Sequence, residues 1–194
     1  MLRELKTTLL VFTLLTLLTG VAYPGVVWIF AQLVVPDQAT GSVIERNGKA
    51  VGSKLLGQPF SSPGYFWGRP SATGPFPDNG AVSSGSNQAA TNPNLVAAVR
   101  DRIAALSAAD PGNIAAVPID LVTASASGLD PHISPAAAEY QVGRVARARG
   151  VEPSRVRQWV SAATEGRTGG FLGEPRVNVL ELNLALDEQA PQAK

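Results

Sequence analysis

The chain has 194 residues, a length that suits one domain of ordinary size with some residues left over. Its 16 basic and 15 acidic side chains nearly cancel, so no strongly basic face is available and we expect no nucleic-acid partner. With no cysteine and one histidine, the chain lacks disulfides, thiol nucleophiles and the usual ligands of a zinc site, so we also expect no metal.

An uncharged, largely apolar run of sequence follows Lys6. Because about 20 apolar residues suffice for a helix to cross a bilayer, the run predicts a transmembrane helix over residues 7–35. Arg3 and Lys6 precede the run, and positive charge favours the cytoplasmic side. We therefore expect a cytoplasmic N-terminus at residues 1–6 and an exported, extracytoplasmic (periplasmic) domain at residues 36–194.

The same run has features of a secretory signal peptide, with small residues ending at Ala22 where a peptidase could cleave. Cleavage would leave a free exported protein that begins at Tyr23. The apolar sequence continues to Val35, however, and signal peptides usually contain only about 7–15 apolar residues. The pattern therefore favours a retained single-pass helix that contacts membrane lipid.

Gly20, Pro24 and Gly25 interrupt the large apolar side chains of this helix. Small residues allow the backbone of a second helix to approach closely, and proline bends a helix. These three residues are therefore candidates for packing against another transmembrane helix. The alternative is that lipid-facing helices simply tolerate them.

The predicted domain begins with a β-hairpin, because Asn47-Gly48 is a strong signal for a two-residue turn. Residues 71–92 are rich in glycine, proline, serine and asparagine. That composition is typical either of a linker or of an ordered surface loop, and the sequence leaves both open.

Three helices are predicted in the middle of the chain, beginning at Asn92-Pro93, Ser134-Pro135 and near Pro153. The first and third helices each present one apolar face. The second ends at Gly150, after several arginines that suit the negative end of its helix dipole. The residues of the two faces are Leu95, Val99, Ile103 and Leu106, and Val156, Trp159, Val160 and Ala163.

Two further segments complete the predicted fold. Residues 119–127 are predicted to be a buried strand, and the C-terminal segment from Asn178 is predicted to be a helix, because Glu181 follows a capping residue by three positions. The fold class is therefore a single N-terminal transmembrane helix followed by one α/β or α+β exported domain.

The segment "TASASGLDPHIS" contains the side-chain types of a serine hydrolase. Its candidate residues are Thr123, Ser125, Ser127, Asp130 and His132. The nucleophile pattern G-x-S-x-G is absent, and triad members are usually distant in sequence. Serine, threonine and aspartate also stabilise turns, so the alternatives are a membrane-anchored hydrolase and a loop that only organises the fold.

Several stretches together resemble the C subunits of bacterial Kdp-type potassium-transporting P-type ATPases. They are "VGSKLLGQPF" with "YFWGRPSATG", "SSGSNQAATNPNL", "TASASGLDPHISPAAAEYQVGRVARARG" and "GEPRVNVLELNLALD", in this order behind one N-terminal span. The resemblance implies a non-catalytic, single-pass subunit of the bacterial inner (plasma) membrane, with its domain outside.

The resemblance also implies a hetero-oligomer with a channel-like potassium-binding subunit, a P-type ATPase subunit and a small fourth peptide. Such a complex uses ATP to import potassium. The C subunit is expected to stabilise the assembly and to act as a catalytic chaperone that raises the ATP affinity of the ATPase subunit.

ATP is implied for the complex, whereas the chain itself shows no phosphate-binding pattern, and we expect no cofactor in it. An exported domain would not meet cytoplasmic ATP. We therefore expect coupling through helix packing near Gly20 and Gly25 and through the outer face of the channel-like subunit. The loop with Asp130 and His132 is expected to organise the fold and contact a partner subunit.

Overall fold

The computed structural model describes residues 1–190 of the chain. It divides into two compact units, one over Met1–Val51 and one from Gly52 onward. Together they comprise an N-terminal apolar helix and a region of mixed helices and strands. The predicted fold class of one transmembrane-type helix followed by an α/β or α+β domain is therefore confirmed, and the export of that domain stays a prediction.

The first unit begins with one helix that runs over Leu2–Val34 and is long and apolar enough to cross a membrane. It consists of α1 (Leu2–Leu17), a π-helical turn (Leu18–Ala22) and α2 (Tyr23–Val34). The helix therefore begins five residues before the predicted transmembrane span of 7–35 and ends one residue before its end. Which of these residues lie inside the membrane stays a prediction.

The π-helical turn ends at Ala22, two residues before Pro24. A proline in a helix lacks an N–H donor, and its ring crowds the carbonyl group four residues earlier, here that of Gly20. The wider π-turn, in which the Tyr23 N–H donates to the Leu18 carbonyl, accommodates this. The Thr19 hydroxyl also donates to the Leu15 carbonyl at 2.8 Å.

After the short helix α3 (Pro36–Ala39), strands β1 (Val43–Arg46) and β2 (Lys49–Ser53) form the predicted hairpin. Its turn residues Asn47 and Gly48 have φ angles of 52° and 72°, the positive values that this turn needs. The hairpin prediction is confirmed.

The second unit contains α4 (Pro93–Ala109), which begins where predicted because Asn92 accepts a hydrogen bond from the Asn94 N–H at 2.9 Å. Its predicted apolar face is only partly correct. Leu106 is buried and Val99 packs against the core, but Ile103 is 38% exposed.

Residues 119–127 do not form the predicted strand. The structure has a single 3₁₀ turn at Ile119–Leu121 followed by irregular chain. The cause is hydrogen bonding by side chains, since Asp120 accepts from the Ser134 N–H, 14 residues away, at 2.7 Å and the Thr123 hydroxyl donates to the Ile119 carbonyl at 2.8 Å. These bonds wind the segment into a turn in place of an extended ladder.

The remaining elements are β3 (His132–Ile133), α5 (Pro135–Arg149), α6 (Pro153–Ala162), β4 (Thr164–Glu165), β5 (Arg176–Asn178) and α7 (Val179–Gln189). The strands form an antiparallel sheet in the order β3-β5-β4, in which Ile133 pairs with Val177 and Thr164 pairs with Val177 from the other side. Helices α5, α6 and α7 supply most of the core beside it.

The ends of these helices confirm the capping predictions. The Ser134 hydroxyl accepts from the Ala137 N–H at 3.0 Å, and Gly150 ends α5 with a φ of 65°. Asn178 accepts from the Glu181 N–H at 3.1 Å, so the C-terminal segment is a helix as predicted. The third predicted helix is α6, with Val156, Trp159 and Val160 buried.

Candidate functional site

The predicted site loop contains a charged cluster built around Asp130. One carboxylate oxygen of Asp130 accepts from Arg69 Nη1 at 3.0 Å, and the other accepts from the His132 backbone N–H at 3.0 Å. His132 Nδ1 lies 3.5 Å from that second oxygen. Burial alone would raise the pKa of Asp130, but the hydrogen bonds from His132 and Arg69 outweigh it and hold this pKa below its usual value.

The serine hydroxyl groups of the loop serve its own backbone. Ser125 Oγ accepts from the Gly128 N–H at 2.9 Å, and Ser127 Oγ accepts from the Leu129 N–H at 3.1 Å. A nucleophilic serine would instead be oriented by the histidine. The arrangement therefore favours the fold-organising interpretation over the hydrolase.

The polar stretch 71–92 is irregular and packs directly on this loop. The Ser71 hydroxyl donates to the Gly128 carbonyl at 2.7 Å, and the Ser84 N–H donates to the Ser127 carbonyl at 2.9 Å. A Cβ on Gly128 would lie 2.5 Å from the Ser84 carbonyl oxygen, and one on Gly85 would lie 2.6 Å from the Ala126 carbonyl oxygen. The two glycines thus permit the close backbone approach of the two loops.

A surface groove of about 380 Å³ lies beside the charged cluster. Arg69, Asp130 and His132 line it together with Ile119 and residues 174–176. Ile119, which the sequence placed in a buried strand, is 73% exposed here. The groove therefore combines an exposed apolar side chain with fixed polar groups, a composition typical of the edge of a protein–protein interface.

Arg69 is the member of this cluster that the sequence did not indicate, because it lies 61 residues from Asp130 in the chain. The aromatic segment just before it fixes its position. Asn183 of α7 bonds both backbone groups of Phe66, at 2.8 and 2.9 Å. Gln141 of α5 does the same for Trp67, at 2.8 and 3.1 Å.

Two buried arginines of α5 also bond residues 62–67. We call these two arginines, together with Gln141 and Asn183, the clamp on the aromatic segment 62–67. Arg144 donates to the Pro63 carbonyl at 2.7 Å and lies 4.3 Å from the ring centre of Trp67, and burial lowers its pKa to about 10. Arg149 donates to the Gly64 carbonyl at 2.7 Å and lies over the Tyr65 ring. Both satisfy backbone carbonyl groups of this irregular segment, a role beyond the dipole interaction that their place at the helix end suggested.

The other predicted candidates lie in the first unit. Gly20 falls in the π-helical turn, and Pro24 and Gly25 lie in the first turn of α2. Neither glycine has an atom within 4 Å of the place where a Cβ would be, so both leave an open strip of helix surface in the part of the chain that the structure describes. Their role in helix packing stays a prediction.

Comparisons with known proteins cover both units. The family model KdpC, described as "K+-transporting ATPase, c chain", matches residues 5–188. A potassium-transporting ATPase KdpC subunit from Polaromonas naphthalenivorans is 63% identical, over 96% of this chain and 95% of the relative. Proteins of the same name from Methylococcus capsulatus and Sorangium cellulosum are 60% and 59% identical, each over 96% of this chain and 98% of the relative.

Proposed function

The chain belongs to the KdpC family, the C chains of potassium-transporting ATPases, and we propose that it is a non-catalytic accessory subunit of an ATP-driven potassium import complex. In that complex it stabilises the assembly of the channel-like potassium-binding subunit and the P-type ATPase subunit, with the small fourth peptide as a further partner. The observation that carries the proposal is the family match over residues 5–188, which includes the membrane helix as well as the domain.

We propose further that the chain is a single-pass protein of the bacterial inner membrane, with its N-terminus in the cytoplasm and its domain outside. The helix over Leu2–Val34 supports this placement by its length and composition. Arg3 and Lys6 at one end, against Asp37 as the first charge after the other end, support the orientation.

We also propose that the subunit raises the ATP affinity of the ATPase subunit indirectly, as a catalytic chaperone that does not itself bind ATP. With the domain outside, the coupling runs through helix packing in the membrane and through the outer face of the channel-like subunit. The open surface at Gly20 and Gly25 supports helix packing as the coupling contact, because a second backbone can approach closely there.

The assembly proposal is tested by purifying the full-length tagged chain from its native membrane in mild detergent. Recovery of the channel-like and ATPase subunits in comparable amounts is the expected result. Recovery of this chain alone, beginning at Tyr23, would contradict both the retained helix and the role in the pump.

The coupling proposal is tested by measuring the KM for ATP of the purified complex with Gly25→Ile and with Val26→Ile as the matched control. Because a branched side chain at residue 25 would hold a second helix away, we expect a KM for ATP raised several-fold in the first variant and unchanged in the control. Equal KM values in both variants, or specific binding of ATP by the full-length chain alone, would argue against coupling through this contact.

A further inference from the structure

A loop between β4 and β5 exposes two large apolar side chains. We name residues 166–174 the docking loop. Phe171 at its tip is 74% exposed and the adjacent Leu172 is 57% exposed. Single exposed apolar residues are common on protein surfaces, but two adjacent ones on a projecting loop are typical of a contact site.

The docking loop holds its shape through its own bonds. Thr168 and Leu172 exchange two backbone hydrogen bonds, at 2.9 and 3.0 Å, and Arg167 Nη2 donates to both carboxylate oxygens of Glu174, at 2.9 and 2.8 Å. Gly169, Gly170 and Gly173 supply the positive φ angles that the tight bends require. The apolar tip is thus preorganised, which lowers the entropy lost on binding a partner.

The charges around the tip are paired within the chain. Arg167 pairs with Glu174, and Arg176 pairs with Glu165 at 2.8 Å, so two basic and two acidic side chains lie on either side of the apolar tip and their charges cancel. Segments that bind lipid surfaces combine apolar residues with basic side chains that are available for anionic headgroups. An apolar tip whose neighbouring charges are already paired instead complements an uncharged apolar pocket of a protein.

The docking loop is continuous with the groove beside Asp130. Glu174 closes the loop, and together with Arg176 it lines the groove that also contains His132 and the exposed Ile119. An apolar centre with polar groups at its edge is the usual composition of a specific protein interface. The loop and the groove can therefore act as one contact surface.

We propose that the docking loop inserts Phe171 and Leu172 into an apolar pocket on the extracytoplasmic surface of a partner subunit of the transporter complex. The groove with His132 and Ile119 contacts the rim of that pocket. This inference rests on the proposed function, because it requires the chain to be part of such a complex.

Photo-crosslinking from within the membrane complex identifies what covers the loop. The full-length chain is expressed with p-benzoylphenylalanine in place of Phe171, and in a matched control in place of Phe76, which is 56% exposed outside the loop. The expected result is an adduct with a partner subunit from position 171 and little or none from position 76. An adduct with lipid only, an adduct with a second copy of this chain, or no difference between the two positions would overturn the proposal.

A second measurement does not depend on the crosslinker. The double variant Phe171→Ala with Leu172→Ala is compared with Phe76→Ala for release of the partner subunits from the detergent-purified complex. Since apolar side chains that fill a pocket carry much of the binding free energy, we expect release about tenfold faster or more in the double variant and unchanged in the control. Equal release rates would overturn the inference.

The two proposals fail in different ways. If the unmodified chain recovers no transporter subunits, the proposed function fails and the inference fails with it. If the unmodified chain recovers them but position 171 forms no adduct with a partner subunit, the docking inference fails while the proposed function stands.

Discussion

The aromatic segment 62–67 and the docking loop differ in the burial of similar side chains. Both are irregular pieces of chain with a phenylalanine, but Phe66 is fully buried and Phe171 is 74% exposed. The backbone of the first is satisfied by long side chains from α5 and α7, and that of the second by its own hairpin-like bonds. Irregular chain can thus enter the core only where distant residues provide hydrogen bonds, whereas exposed chain leaves its apolar groups available to a partner.

The largest predicted effect tests the buried side of this comparison. Asn183→Leu keeps the branched shape and the number of side-chain heavy atoms but removes both hydrogen bonds to Phe66, whose N–H and carbonyl groups would then be buried without partners. Because each such loss costs about 1–3 kcal/mol, we expect the free energy of unfolding to fall by about 3 kcal/mol. Denaturation of the full-length protein in mild detergent measures it.

The matched control is Asn94→Leu, an exposed asparagine in the first turn of α4. Exposed substitutions usually change stability by no more than about 0.5 kcal/mol. If both variants lost the same stability, the clamp on the aromatic segment would not be what holds that segment in the core.

A smaller effect is predicted where the two loops of the site meet. Gly128→Ala places a Cβ 2.5 Å from the Ser84 carbonyl oxygen at a residue whose φ is 69°. Backbone must then move, and the strain of a left-handed alanine adds to the clash, so we expect a loss of about 2 kcal/mol in the free energy of unfolding. The same denaturation experiment measures this loss.

Gly112→Ala is the control, because a Cβ at Gly112 meets no atom within 4 Å. A Gly128→Ala protein as stable as this control would mean that the loops 71–92 and 123–132 separate at little cost. The site would then be less rigid than the structure indicates.

The sequence predicted those features that depend on neighbouring residues. The helix starts at Asn92, Ser134 and Asn178 and the hairpin turn at Asn47-Gly48 follow from bonds that span two to four residues, and all are confirmed. The strand predicted at 119–127 was wrong because apolar composition does not reveal that Asp120 bonds the Ser134 N–H, 14 residues away.

The candidate site was only partly predictable for the same reason. Asp130 and His132 are close in sequence and were identified, whereas Arg69 joins them from 61 residues away. The clamp residues Gln141 and Asn183 act over 74 and 117 residues. One signal for Asn183 was available, because it is a polar residue among the buried apolar residues Leu182 and Leu186 of its helix. Such a residue is expected to have a hydrogen-bond partner, but the sequence does not identify that partner.

A modest effect is predicted for the charged cluster as pH falls. The folded state lowers the pKa of Asp130, so it binds fewer protons than the unfolded chain, and its contribution to stability is full above about pH 4. That contribution is lost as pH falls through the lowered pKa. We expect Asp130→Asn to be less stable than the wild type by about 1 kcal/mol at pH 7 and to approach it in acid.

The exposed Asp101 provides the control, as Asp101→Asn. Denaturation in detergent at several pH values compares the three proteins. A difference between Asp130→Asn and the wild type that does not shrink in acid would show that the cluster acts through shape and not through its charge.

The smallest predicted effect tests the exposed side of the comparison. Replacing Phe171 and Leu172 together by alanine removes side chains that are mostly in solvent, while the backbone bonds between Thr168 and Leu172 and the pairing of Arg167 with Glu174 remain. We therefore expect the free energy of unfolding of the isolated subunit to change by no more than about 0.5 kcal/mol. A loss of unfolding free energy as large as that of Asn183→Leu would mean that Phe171 and Leu172 support the fold. Their exposure could then no longer be explained by a role in binding a partner, and the contrast with Phe66 would fail.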